Sequence, residues 1–191
     1  MTIKFIGDLS IQDAKVLVKL GSQANNILEF GAGGSTQIFA QCKPKTLISV
    51  ETDLHWVQLT EKRIKKLSNI TEPLFINYGR HPQQSFDLIF VDGVDNLRKE
   101  FAIDTWKLLT VGGVMVFHDT RRFIDFANAA WIAQLYFNEI SKIEINVDDS
   151  NMTVIYKKQH QPYVNWNYTE GKPLWAYGGV PNTEDKELWT L

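Results

Sequence analysis

The sequence predicts an α/β fold: a mixed sheet, mostly parallel, covered by helices on both faces and closed by a C-terminal antiparallel hairpin. Three observations predict it. Short apolar runs at Asn26 to Phe30, Thr46 to Val50, Phe86 to Val91 and Val114 to Phe117 alternate with longer helical patterns, as buried parallel strands and their crossover helices do. A glycine cluster, Gly31-Ala32-Gly33-Gly34, separates the first run from the helix that follows it. The alternation then gives way to two successive strand patterns, Ile143 to Val147 and Met152 to Tyr156, joined by Asp148-Asp149-Ser150-Asn151, whose residues suit a hairpin turn.

In chain order, Ser10 with Asp13 three residues on predicts a capped entry helix that turns Ala14, Leu17, Val18 and Leu20 to a core and stops near Gly21. The first strand and the glycine turn follow, then a helix over Ser35 to Gln41 ended by Pro44. After the second strand, Thr52 or Asp53 caps a helix to about Leu67, with Trp56, Leu59 and Leu67 among its apolar positions. Leu74 to Tyr78 is a weaker strand pattern. Asn96 to Leu109 reads as a helix with Leu97, Phe101 and Leu108 on one face, ended by Gly112-Gly113. Beyond Val114 to Phe117, an apolar helix is expected from about Phe123 to Ile140. Residues 1–158 thus form one domain, and 159–191 a polar tail rich in Trp and Tyr.

Composition narrows the functional classes. The 191 residues are 44% hydrophobic and 22% charged with a formal net charge of −2, an ordinary globular balance that supplies no overall attraction to nucleic acid or to an anionic membrane. Cys42 is the single cysteine, so no intrachain disulfide and no cysteine-rich metal site is expected. The first ten residues lack the apolar stretch of a signal peptide and no run is as long as a membrane span, so the expected location is cytoplasmic.

The glycine turn falls where open α/β sheets bind ligands, beyond the carboxyl ends of the strands. Glu51, twenty residues after Gly31, ends the second strand, where a carboxylate can accept hydrogen bonds from both ribose hydroxyls of an adenosine ligand. Glu29 discriminates between cofactors. A buried carboxylate there is costly unless paired, suits the ammonium and sulfonium of S-adenosylmethionine, and repels a dinucleotide pyrophosphate. Thr36 also stands where the dinucleotide fingerprint has its third glycine.

At these residues the sequence resembles the class I methyltransferases that use S-adenosylmethionine, a Rossmann-like family, and within it the small branch similar to catechol O-methyltransferase and to bacterial sugar and antibiotic O-methyltransferases. The resemblance spans about residues 10 to 157. It is carried by Leu28-Glu29-Phe30-Gly31-Ala32-Gly33-Gly34-Ser35-Thr36, Ser49-Val50-Glu51, Phe86-Asp87-Leu88-Ile89-Phe90-Val91-Asp92-Gly93 and Gly112-Gly113-Val114-Met115-Val116-Phe117-His118-Asp119-Thr120. It implies that the segment Glu29, Gly31, Ala32, Gly33, Ser35 and Thr36 serves the methionine part of the cofactor and that Glu51 holds the ribose. Tyr78, Gly79 and Arg80 would lie near the adenine. Trp56 is read as core, with a place beside the adenine as its other reading.

For catalysis, Asp92 and Asp119 both follow predicted parallel strands and are expected at the same sheet edge as the glycine turn, with Asp92 also near the cofactor. The resemblance makes them ligands of a divalent cation such as Mg2+ that binds the acceptor hydroxyls. The sequence departs from that pattern in two places: Thr120 stands where a third Asp or Asn ligand is common, and Asp95 where many relatives carry histidine. His118 ranks behind the aspartates as a general base, and Asp119 has a second reading as a helix cap. Arg121 with Arg122 reads as solvated surface, and Arg80 with His81 as either cofactor mouth or strand end.

The expected function is methyl transfer to a small hydroxylated acceptor. The other readings are a cofactor-binding or assembly protein without turnover and a nicotinamide-dependent oxidoreductase. Trp166, Tyr168, Trp175, Tyr177 and Trp189 are expected to bury rings against their own domain or in a homodimer through the tail, or to cover the acceptor.

Overall fold

The computed structural model describes residues 3–79 and 83–160, together with the backbone of 168–169 and 172–173. The chain divides into two units, 1–159 and 160–191. In the second, β8 (Tyr168–Thr169) pairs antiparallel with β9 (Lys172–Pro173). The expectations for the tail rings and for Arg80 and His81 lie outside the described residues.

The first unit is built on seven strands: β1 (Asn26–Phe30), β2 (Thr46–Val50), β3 (Leu74–Ile76), β4 (Phe86–Val91), β5 (Leu109–His118), β6 (Ile140–Ile145) and β7 (Met152–Lys157). Their order in the sheet is β3-β2-β1-β4-β5-β7-β6, with β1 to β5 parallel and β7 antiparallel to both β5 and β6. The order reverses between β1 and β4, which leaves a crevice at their carboxyl ends. The predicted mixed sheet with its hairpin is therefore present.

The helices are α1 (Ile11–Gly21), α2 (Gly34–Cys42), α3 (Leu54–Ile64), α4 (Arg98–Trp106) and α5 (Phe123–Leu135). α1 starts at the predicted capping box, Ser10 accepting from the Asp13 amide while Asp13 accepts from the Ser10 amide. One apolar layer joins Leu17 of α1, Phe39 of α2 and Ile64 of α3 to Ile27, Leu47, Phe90 and Val116. The opposite layer joins Phe101 and Trp106 of α4 and Ile132 of α5 to Phe30, Val50, Val91 and Phe117. Each central strand is therefore buried on both faces, the physical reason its sequence is a continuous apolar run.

Several predicted boundaries shift: the helix expected to about Leu67 ends at Ile64, and the hairpin strand expected at Ile143 to Val147 runs Ile140–Ile145, with Val147 in the short 3-10 segment before β7. Gly112-Gly113 lies inside β5 and does not end a helix: α4 stops at Trp106, β5 starts at Leu109, and the register against β4 slips between Phe86 and Leu88. Gly112 has φ +86, and a Cβ on Gly113 would stand 2.9 Å from the Asp87 carbonyl oxygen, so the glycines serve a bulge. The helix expected to reach Ile140 ends at Leu135, because the chain turns through a short 3-10 segment into β6.

Candidate functional site

A cleft of about 670 Å³ opens at the carboxyl ends of β1, β2, β4 and β5. Its walls are Gly31 to Ser35, Glu51 to Asp53, Trp56, Asp92 to Val94, His118 and Asp119, with Ile6 to Leu9 along another side. The volume lies within the range of small-molecule sites, about 300–1,000 Å³.

The glycine turn is shaped by close backbone approach. Gly31 holds φ +93 and packs against the Gly93 backbone, and α2 begins at Gly34, so that its N-terminal residues border the cleft. Glu51 ties this turn to the next: one carboxylate oxygen accepts from the Ala32 amide at 2.9 Å, the other from the amides of Thr52 at 2.7 Å and Asp53 at 2.9 Å. Charge-assisted bonds of this kind fix the carboxylate in the cleft wall.

Glu29 lies beneath the cleft and not in its wall. It is fully buried; Oε2 accepts from the hydroxyls of Thr36 at 2.7 Å and Ser49 at 2.9 Å, and Oε1 has no partner in hydrogen-bond geometry. Burial pushes its pKa up to about 7, the hydroxyls of Ser35, Thr36 and Ser49 only partly offsetting it and Asp92 adding to the rise. Thr36 is likewise sealed, and its hydroxyl also accepts from the Gly33 amide. Tyr78 is not among the residues of the cleft: its ring packs edge-on against Phe101 and its hydroxyl donates to Asp104. Trp56, read from the sequence as core, is 42% exposed and stands on the cleft wall.

At the other end of the cleft, β4 and β5 deliver Asp92, His118 and Asp119. His118 Nδ1 lies 3.5 Å from Asp92 and 3.4 Å from Asp119, and Nε2 lies 3.6 Å from Asp13. Burial alone would lower the His118 pKa, but Asp92, Asp119 and Asp13 together raise it above the ordinary histidine value. Asp119 adopts φ +59 and does not cap α5, whose N-cap is Arg122. Its carboxylate instead accepts from Arg122 at 2.8 Å and Asn151 at 3.1 Å. A left-handed aspartate is a strained choice held in place by these partners.

Arg98 was not singled out by the sequence reading. From the first turn of α4, its side chain is 4% exposed and reaches Asp92 at 2.7 Å, Asp125 at 2.8 Å, Asp95 at 3.2 Å and Asp119 at 3.3 Å. It also donates to the Gly93 and His118 carbonyls. The available signal was a lone arginine three and four residues before Phe101 and Ala102, on the stripe of α4 that packs against the sheet. Arg122, read as solvated, also belongs to this network through Asp95, Asp119 and Asp125. Thr120 faces away: its hydroxyl accepts from Thr153.

Asp92, His118 and Asp119 each offer an atom within 4.8 Å of the others, a spacing a cation could bridge. Magnesium does not suit this set. It favours oxygen donors in a strict octahedron, whereas one of the three is an imidazole and both carboxylates are already engaged by a guanidinium.

No protein-family model matches the sequence, and no curated protein matches it. Solved structures do match in fold. A methyltransferase-like protein from Silicibacter pomeroyi is 18% identical with a TM-score of 0.62, over 84% of this chain and 93% of that one. An O-methyltransferase from Bacillus cereus, solved in complex with SAH, is 16% identical with a TM-score of 0.61, over 78% and 83%. The N-methyltransferase NodS from Bradyrhizobium japonicum is 21% identical with a TM-score of 0.55, over 76% and 94%. The chain therefore has the Rossmann-like fold of the S-adenosylmethionine-dependent methyltransferases. Among the described residues, no helix is long and apolar enough to cross a membrane.

Proposed function

We propose that this chain is an S-adenosylmethionine-dependent methyltransferase that methylates a hydroxyl of a small acceptor. The observation that carries the reading is the single cleft joining the glycine turn and Glu51 at one end to Asp92 and Asp119 at the other. The shared fold supports it, since the Bacillus cereus relative was solved with SAH.

The cleft suits the cofactor. Glu51 Oε2 accepts one bond from Ala32 and retains capacity for a ribose hydroxyl. The Gly31 to Ser35 turn brings backbone close enough to hold the methionine part, and Trp56 offers an apolar face for the adenine. When bound, S-adenosylmethionine supplies an electrophilic methyl group on a sulfonium.

This chain's residues then align the acceptor and take its proton. Asp92 lines the cleft with its side chain a quarter exposed, within reach of an acceptor hydroxyl. Asp92 would take the proton that the acceptor hydroxyl gives up on methylation. Asp119 holds the acceptor from the β5 side. His118, held toward its charged form between carboxylates, keeps Asp92 and Asp119 in place and, carrying its proton, is less available as a base than they are.

Isothermal titration with S-adenosylhomocysteine beside NADH tests the reading. Saturable binding of the first alone supports it; binding of NADH alone, or of neither by the folded protein, removes it. S-adenosylhomocysteine binding without transfer across an acceptor screen would leave a cofactor-binding protein.

A further inference from the structure

A buried cation already stands behind the acceptor end of the cleft. Arg98 bonds Oδ1 of Asp92 and Oδ2 of Asp119 from one side, and Arg122 adds a second bond to the latter oxygen. The remaining oxygens face His118: Asp92 Oδ2 lies 3.5 Å and Asp119 Oδ1 3.4 Å from Nδ1, both as ion partners outside hydrogen-bond geometry, and Asp119 Oδ1 also accepts from the Asn151 amide group. Both oxygens of Asp125, 1% exposed, are spent on Arg98 and Arg122. Thr120, the remaining side chain that the sequence pattern would have offered a metal, is turned to Thr153.

We infer that Arg98 is the resident cation of this site, a positioning residue that neutralises and aims Asp92 and Asp119 in place of a divalent metal. A guanidinium is charged at every working pH and its planar fork matches two carboxylates at once, so it fixes both without being exchangeable. It sits behind the carboxylates and is not a wall of the cleft, so it does not touch the acceptor. An acceptor therefore has no metal to chelate, and a lone hydroxyl suffices where a metal site would select neighbouring oxygen pairs. The substrate-class consequence rests on the proposed function; the exclusion of metal does not.

The test is Mn2+ binding, followed by electron paramagnetic resonance of the free ion, on wild-type protein and Arg98→Gln, with Mg2+ and EDTA melts alongside. Wild type is expected to bind no Mn2+ saturably up to about 1 mM and to melt identically in EDTA and Mg2+. Arg98→Gln, which leaves Asp92 without a guanidinium and Asp119 with Arg122 alone, is expected to gain one Mn2+ per chain, at least about tenfold tighter than wild type. One saturable Mn2+ in wild type, lost in Asp119→Asn, overturns the inference; so does a folded Arg98→Gln that gains none. If Arg98→Gln does not fold, the wild-type titration decides, and Arg98→Lys, a cation with fewer reachable partners, is expected to melt lower while still excluding Mn2+. S-adenosylhomocysteine titrated into the same samples reports on the proposed function separately.

Discussion

A Cβ on Gly31 would stand 2.3 Å from the amide nitrogen of Gly93, so the turn after β1 and the turn after β4 press backbone on backbone. Both turns line the cleft, with Ala32 on one and Asp92 on the other. Gly31→Ala must separate them and also place a side chain at φ +93. It is expected to cost about 2 kcal/mol of stability or more and to weaken S-adenosylhomocysteine binding, read by thermal unfolding and calorimetry. A variant with wild-type melting and affinity would show that the contact is slack.

Glu51 serves three backbone amides, and in the proposed function the ribose as well. Glu51→Ala is expected to weaken S-adenosylhomocysteine binding by about 1–3 kcal/mol, or roughly five- to 150-fold. Unchanged affinity would confine Glu51 to holding the turns together.

Asp92→Asn keeps the shape of the side chain and removes its capacity to take a proton. Methyl transfer, once an acceptor is found, is expected to fall about 100-fold or more, with S-adenosylhomocysteine affinity nearly unchanged. A variant with full turnover would move the proton acceptor elsewhere in the cleft.

Two buried groups make stability fall as pH rises. Glu29, ordinarily near 4.5, titrates at about 7 in the folded chain, so between those values the native state holds a proton that the unfolded chain has released. His118 is raised above 6.5, so its ion pairs contribute fully below that value and are lost as pH rises through its folded pKa. Urea midpoints are expected to decrease from pH 5 to pH 8, and Glu29→Gln to flatten the part of that slope between about 4.5 and 7. A flat wild-type profile would contradict the burial of Glu29 and the pairing of His118 with its aspartates.

Gln37 and Gln41, both on α2, grip the segment that forms the cleft's other side. The Gln37 side chain bonds both the amide and the carbonyl of Ile6, and Gln41 does the same for Lys4. Gln37→Ala is expected to cost about 1–2 kcal/mol and to speed amide exchange at Ile6 while leaving β1 protected. Equal protection at Ile6 before and after substitution would show that the grip is dispensable.

The sheet was legible because its central strands are apolar on both faces, and Asn26–Phe30, Thr46–Val50 and Phe86–Val91 fall at the predicted residues. The Gly112-Gly113 pair was misread because glycines ending a helix and glycines shaping a bulge look alike until the register against β4 is known. In the site, Gly31, Glu51, Asp92 and Asp119 were readable from their places after strands. Arg98, Asp125 and Asn151 were not, because their significance lies in contacts made across 21 to 32 positions of the chain. Gln37 and Gln41 were hidden for a similar reason: polar residues on a short helix show no sign that they replace a missing strand partner.

The position of β7 between β5 and β6 decides which strand at this end of the sheet can loosen. Among the described residues β6 pairs with β7 alone, whereas β7 is held by both β5 and β6. β6 lies three places from β4 in the strand order and carries none of the cleft's walls, so it can peel away without opening the cleft.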